Sequence, residues 1–155
     1  MPHIHDKIDF TVEVFIVYNN KVLLRKHDKY KIWLSIGGHI ELDEDPNEAA
    51  IREVKEEVGL DIEFFGNIIS PKEINKAYKE LIPPKFLNRH RINPQHEHVT
   101  LVYFAKAKND NVKESDKEVS EGLRWFTLNE LDNQEFGIEE HVKFYAKKAL
   151  EELKN

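Results

Sequence analysis

The sequence predicts an α/β fold in which helices lie on a mixed β-sheet. Three observations carry that reading. Residues 10–18 and 99–107 are rich in β-branched and aromatic side chains and read as strands. A strongly capped amphipathic helix starts after Asp45 and stops at Gly59. Short strands at 32–36 and 61–70 flank that helix, and strand–loop–helix–strand suits a helix packed on a mixed sheet. The chain of 155 residues is long enough for one domain, 1–155, with a substantial core.

Taken in order, residues 1–9 are polar and loose, and His3 and His5 belong to a surface terminus. The first strand, 10–18, turns at Asn19-Asn20 into a second, 21–25, so a hairpin is expected. The strand at 32–36 delivers the chain to Gly37-Gly38, with Trp33 either in the core or in a pocket wall. The helix has Asp45 as N-cap, Pro46 at its first position, Glu48 completing a capping box and Gly59 as stop. Ala50, Val54 and Val58, with Ile51 beside them, form a stripe that faces a core. A strand at 61–70 is interrupted by Gly66. Ile74, Ala77, Tyr78, Leu81 and Ile82 fall at helical spacing over 74–82, and Pro83-Pro84 ends that helix. The strand 99–107 follows. A polar turn at 108–117 leads to a last strand, 123–127, and a helical turn at 128–131. An amphipathic helix at 137–153 closes the chain and packs on the far side of the sheet.

Composition narrows the function. Hydrophobic residues make up 40% and charged residues 34%, as in soluble globular proteins. A formal net charge of −6 argues against a general nucleic-acid-binding surface. Without cysteine there is neither a disulfide framework nor a thiolate nucleophile. No signal-peptide pattern opens the chain and no long apolar run suggests a membrane span, so a cytoplasmic location is the default.

The charge pattern of the first helix asks for chemistry. Glu53, Glu56 and Glu57 are related by i+3 and i+4, and like charges at those spacings repel. Convergence of three carboxylates makes sense around a hard divalent cation such as Mg2+, which prefers oxygen ligands; the plain alternative is a solvated acidic face. The glycine pair just upstream marks backbone that bends tightly or approaches something closely. Across 71–91 Lys72, Lys76, Lys79, Lys85, Arg89 and Arg91 outnumber Glu73 and Glu80, a local positive excess in an acidic protein. Either this is an exposed insertion, or Lys85, Arg89 and Arg91 form an electrostatic wall for a polyphosphate. His96-Glu97-His98 is a weak transition-metal fragment by spacing alone.

These residues resemble the signature of the Nudix (MutT-like) hydrolases, G-x5-E-x7-R-E-U-x-E-E-x-G-U, with U aliphatic. Gly38, Glu44, Arg52, Glu53, Val54, Glu56, Glu57, Gly59 and Leu60 occupy its fixed positions, and the signature spans 38–60. Ile36 stands where many members have proline, and Asp43 where many have glycine.

The resemblance implies an α/β/α sandwich around a mixed sheet. It implies Mg2+-dependent hydrolysis of a diphosphate linkage in a nucleoside diphosphate linked to another moiety, with Mn2+ able to substitute. Qualifying substrates are a nucleoside triphosphate, a nucleotide sugar or a dinucleotide polyphosphate. Glu53, Glu56 and Glu57 would hold the metal, joined by a backbone carbonyl of Gly37 or Gly38. Glu53 or the downstream Glu97 would take the proton, with Glu118 and Glu121 as reserve candidates for the late acid. Glu44 and Arg52 resemble the signature's internal ion pair. Arg25 would meet substrate phosphate. His39 and His98 would share one pocket as phosphate contacts or partners of a carboxylate. A homodimer is common among such proteins. Two rivals are a catalytically silent Nudix-fold nucleotide-binding or regulatory protein, and an isoprenoid diphosphate isomerase, whose usual cysteine this chain lacks.

Overall fold

The computed structural model describes residues 4–69, 75–114 and 120–155. Its spine is β1 (Ile8–Tyr18), which runs parallel to β7 (His96–Ala107) from Ile8 beside Glu97 to Val17 beside Lys106. The other edge of β1 is shared. The hairpin partner β2 (Lys21–His27) takes its end through Val17–Val22, and β4 (Ile36–His39) takes its start through Thr11–His39 to Val14–Ile36. The short β3 (Trp33–Leu34) and β8 (Ser120–Phe126) extend the sheet from β2. On the far edge β7 pairs with β5 (Ile62–Phe64) and β6 (Phe86–Asn93). Among the described residues only β1–β7 is parallel, so the sheet is mixed, as expected.

Strand alternation divides the core. Val12, Val14 and Ile16 face α1 (Pro46–Val58), packing with Leu23, Ile36, Tyr103 and the helix residues Ala49, Ala50, Val54 and Val58. Phe15 and Val17 face the opposite side, with Val22, Leu24, Phe104 and Phe126 against α3 (Glu140–Glu152). A fully buried Val, Leu or Phe contributes roughly 1.5–3 kcal/mol and an exposed ion pair about 0–1, so these two cores rather than surface charge set where the helices sit. The result is the α/β/α arrangement. The short α2 (Leu128–Leu131), capped by Thr127, leads toward α3.

The capping of α1 follows its sequence. Asp45 accepts from Glu48 N at 2.8 Å, the Glu48 side chain reaches back to Asp45 N, and Gly59 adopts φ 69° to close on Lys55 O. Ile51 differs from expectation: it is 51% exposed, and Ala49 takes the core position instead. Trp33 is half-buried and packs against the core, edge-on to Phe126 at 4.9 Å.

Two local expectations fail. The strand of 61–70 shortens to Ile62–Phe64. The helix expected over 74–82 is not formed across its described part, 75–82. Polar side chains satisfy that backbone by other means: the Asn75 side chain accepts from Ala77 N, while Asn47 on α1 both accepts from Ile82 N and donates to Ile82 O. Downstream, 86–93, where the sequence suggests no element, is the strand β6, with much of its length exposed.

Candidate active site

Glu53, Glu56 and Glu57 divide by burial. Glu53 and Glu57 are 2% and 4% exposed on the inner side of α1, while the Glu56 side chain lies mainly in solvent. Gly38 forms the wall opposite Glu53, since a Cβ built on Gly38 would overlap the Glu53 carboxylate. A glycine is needed there to let the carboxylate in.

Two guanidinium groups offset this negative charge. Arg52 donates to both oxygens of Glu44, to Glu53 at 3.0 Å, to Glu56 at 3.2 Å and to the carbonyl of His39 at 3.0 Å. Glu44 in turn accepts from the Glu41 amide. One side chain thus ties the end of β4, the loop after it and two helix carboxylates together. The bonds from Arg52 hold the Glu44 carboxyl below its ordinary pKa, and Glu44 raises that of Arg52. Arg25 on β2 reaches the second buried acid, its Nε 3.7 Å from Glu57 Oε2.

The glycine pair also borders a cavity of about 220 Å³ lined by Arg25, Gly37, Gly38, His39, Thr100 and other residues of β1, β6 and β7. It adjoins a larger one of about 760 Å³ that reaches Tyr30, Ile32, Arg91 and Tyr145; Glu13, Leu34, His90 and His98 line both. The polar floor comes from one face of β1. Asp9, Thr11 and Glu13 alternate onto the side that carries Phe15 and Val17 further along, and Thr11 bonds Thr100 across the sheet at 2.6 Å. Burial pushes the Glu13 carboxyl up to about 7, against the opposing bond from Ser35. Four histidines gather beside it, with His98 5.0, 5.7 and 5.2 Å by ring centroids from His39, His90 and His96. Burial first, then those neighbouring rings, pushes His98 down to about 4, so it is neutral at physiological pH.

The other residues singled out from sequence scatter. His39 and His98 do share one pocket, and His39 Nε2 lies 3.0 Å from Asp9 Oδ2. Glu97 does not join them. It alternates to the opposite face of β7 from His96 and His98, where Arg89 holds it through both guanidinium arms at 2.8 and 3.0 Å. Lys85 bridges to Glu152 on α3 and lies over the Phe65 ring, away from the cavities, whereas Arg89 and Arg91 border the larger one. Glu118 lies outside the described residues, and Glu121 falls within β8.

Sequence reasoning missed Asp9, Glu13 and His90. A signal was present: Asp9, Thr11 and Glu13 place a polar residue at every second position of a strand whose later half is apolar on the same side.

Comparison with known families matches the NUDIX domain over residues 8–148. A solved hydrolase of the NUDIX family from Clostridium perfringens is 37% identical, covers 92% of this chain and 96% of its own, and superposes with a TM-score of 0.80. A probable DHNTP pyrophosphohydrolase of Lactococcus lactis subsp. cremoris is 26% identical over 95% of this chain and 77% of its own length. A dihydroneopterin triphosphate diphosphatase of Haemophilus influenzae is 36% identical over 50% of this chain and 48% of its own. The chain belongs to the Nudix family, and by class it is a Nudix hydrolase.

Nudix hydrolases use a divalent metal, and the acids of α1 carry donor atoms of the kind one takes. Two buried carboxylates and a third at the rim of one helix offer oxygen donors alone, the chemistry hard cations select.

Proposed function

We propose that this protein hydrolyses a diphosphate linkage in a nucleotide-type substrate, with Mg2+ held by Glu53, Glu56 and Glu57 and a carbonyl of Gly37 or Gly38. One observation carries the reading: Glu53 and Glu57 are buried at i and i+4 of α1, Glu53 lies against a glycine that makes room for it, and that glycine lines a cavity adjoining one large enough for a nucleotide-sized ligand. When bound, a divalent ion neutralises phosphate charge and lowers the pKa of attacking water.

The protein's own groups supply the rest. Arg25, at the junction of Glu57 and the smaller cavity, binds a phosphate oxygen. Arg52 holds Glu53, Glu56 and the loop carrying Glu44 in one geometry, so the acids need not reorganise during reaction. Glu53, rather than Glu97, which Arg89 holds through both guanidinium arms, takes the proton from water. Arg89 and Arg91, on the strand β6 that borders the larger cavity, add positive charge that attracts the polyphosphate. The base or sugar then enters the larger cavity, between Tyr30, Ile32 and Tyr145.

The names of these two relatives put triphosphates of pterin-type rings, dihydroneopterin triphosphate above all, first among candidate substrates. Glu13 and His98, on the cavity floor, would meet the polar edge of such a ring. A panel of nucleoside triphosphates, dihydroneopterin triphosphate, nucleotide sugars and dinucleotide polyphosphates, assayed with Mg2+ and Mn2+ and with products identified, tests the proposal. Release of phosphate or pyrophosphate from at least one class is expected; tight binding without turnover would favour a silent nucleotide-binding protein. The homodimer expected from the family is tested separately, by sedimentation. Among the described residues no helix is long and apolar enough to cross a membrane.

A further inference from the structure

Asp9 is fully buried, and one of its oxygens is crowded by nitrogen. Oδ2 lies 3.0 Å from His39 Nε2, 3.4 Å from His96 Nε2 and accepts from the Ile4 amide at 3.1 Å. Oδ1 accepts from the His5 amide at 2.6 Å. The backbone at the start of the described chain therefore fixes the carboxylate from one side, while histidine rings approach from the other. A donor atom from each of Asp9, His39 and His98 falls within 4.8 Å of the other two. Three strands converge to make this group: Asp9 is level with His98 across β1–β7, and Thr11, two residues on, is level with His39 across β1–β4. All three side chains therefore emerge on one face of the sheet.

The dimensions suit metal ligation. With bonds of about 2.0–2.1 Å, ligand atoms around a tetrahedral zinc ion stand about 3.3 Å apart, close to the 3.0 Å between Asp9 Oδ2 and His39 Nε2, with a His98 donor atom within 4.8 Å of both. Two imidazole nitrogens and one carboxylate are not the donors that Mg2+ selects; they suit borderline transition-metal ions. They form a set different from the all-oxygen group on α1. Three protein ligands leave a fourth position open, and His39 and His98 both line the smaller cavity, so that position faces the ligand space.

We propose that Asp9, His39 and His98 form a second metal site, for a transition-metal dication of the Zn2+ class, with His96 orienting the Asp9 carboxylate. The site stands independently of the reading of α1. An ion there offers its open position to a phosphate or ring oxygen of a ligand in the cavity. His96, bound to the same carboxylate, plays the supporting role that outer partners play at metal centres.

The test uses full-length protein stripped with chelator, then incubated with one equivalent of Zn2+ or Co2+ in excess Mg2+, desalted and analysed for metal. One equivalent is expected to remain on the wild type and on Glu57→Gln. Asp9→Asn and His98→Ala should lose it, and His96→Ala should bind it roughly 10–100-fold more weakly. Failure of the wild type to retain metal overturns the proposal, as does loss from Glu57→Gln with retention by His98→Ala. Because variants of buried residues can unfold, circular dichroism accompanies each, and the wild type is examined with Co2+ directly. Intense visible bands of a four-coordinate ion support the site. The weak bands of a six-coordinate oxygen environment contradict it.

Discussion

The Glu53 carboxylate occupies the volume that a side chain on Gly38 would need. This contact links the glycine pair to the helix: the strand that carries Gly38 is shaped to admit an acid from α1. Gly37, its neighbour, is tight for a different reason, because a Cβ there would strike the backbone carbonyl of Val12.

The two glycines should therefore fail in different ways. Gly38→Ala displaces the end of a flexible side chain, so stability should change little while kcat falls on the order of 10²-fold through a misplaced carboxylate. Gly37→Ala forces backbone apart at the β1–β4 pairing and should cost about 1–3 kcal/mol. Thermal melts and kcat measured on both variants check the contrast; equal stability losses would remove it.

Arg52 makes its bonds at a partly exposed position, where each ion pair contributes about 1 kcal/mol or less. Arg52→Lys retains charge but loses the fork that spans Glu44, Glu53 and Glu56. Activity should drop on the order of 10²-fold with only a small fall in Tm. A variant as active as the wild type would show that this network does not position the acids.

Charge on β6 should act through KM. Replacing Arg89 and Arg91 together by alanine should raise KM roughly tenfold, the loss of one or more charge-assisted contacts, with the fold intact. Lys85→Ala serves as a control, because Lys85 is engaged with Glu152. An unchanged KM in the double variant would contradict the role given to these arginines.

Glu13 supplies a pH test of stability in chelator-treated protein. Its folded pKa is raised to about 7 from 4.5 by burial, so the folded state holds a proton that the unfolded state releases. The group favours folding fully below pH 4.5, and that contribution is lost as pH rises through 7. Glu13→Gln should remove this dependence and make the protein more stable than wild type above pH 7, by on the order of 1–2 kcal/mol. Parallel stability curves for the two proteins would refute the assignment.

Much of this was legible in sequence because α1 is specified locally. Asp45, Pro46, Glu48 and Gly59 determine its ends, and Ala50, Val54 and Val58 its buried side. The strands β1, β2 and β7 were visible from residue type, although their ends extended further. Glu56 looked equivalent to Glu53 and Glu57 on the helix, but only tertiary packing decides which acid is buried. The helix expected over 74–82 had the right period, yet Asn47 on a distant element captured its backbone at Ile82. Sequence could not show that Asp9 joins His39 and His98, since Asp9 and His98 meet through a parallel pairing of β1 with β7 spanning 89 positions, and His39 enters through the antiparallel β1–β4 pairing. Nor could proximity in sequence reveal that Glu97 and His98 point to opposite faces, although strand alternation requires it once the register is known.

The central claim is that the buried acids of α1 bind the catalytic metal, and Glu57→Gln tests it most directly. The substitution keeps the shape of a side chain that is 4% exposed and removes its charge. With the best substrate from the panel, kcat measured across a Mg2+ titration should fall by about 10²-fold or more and the Mg2+ requirement should shift to higher concentration, with the circular dichroism spectrum unchanged. A folded Glu57→Gln protein with wild-type kcat and wild-type Mg2+ dependence would contradict the account.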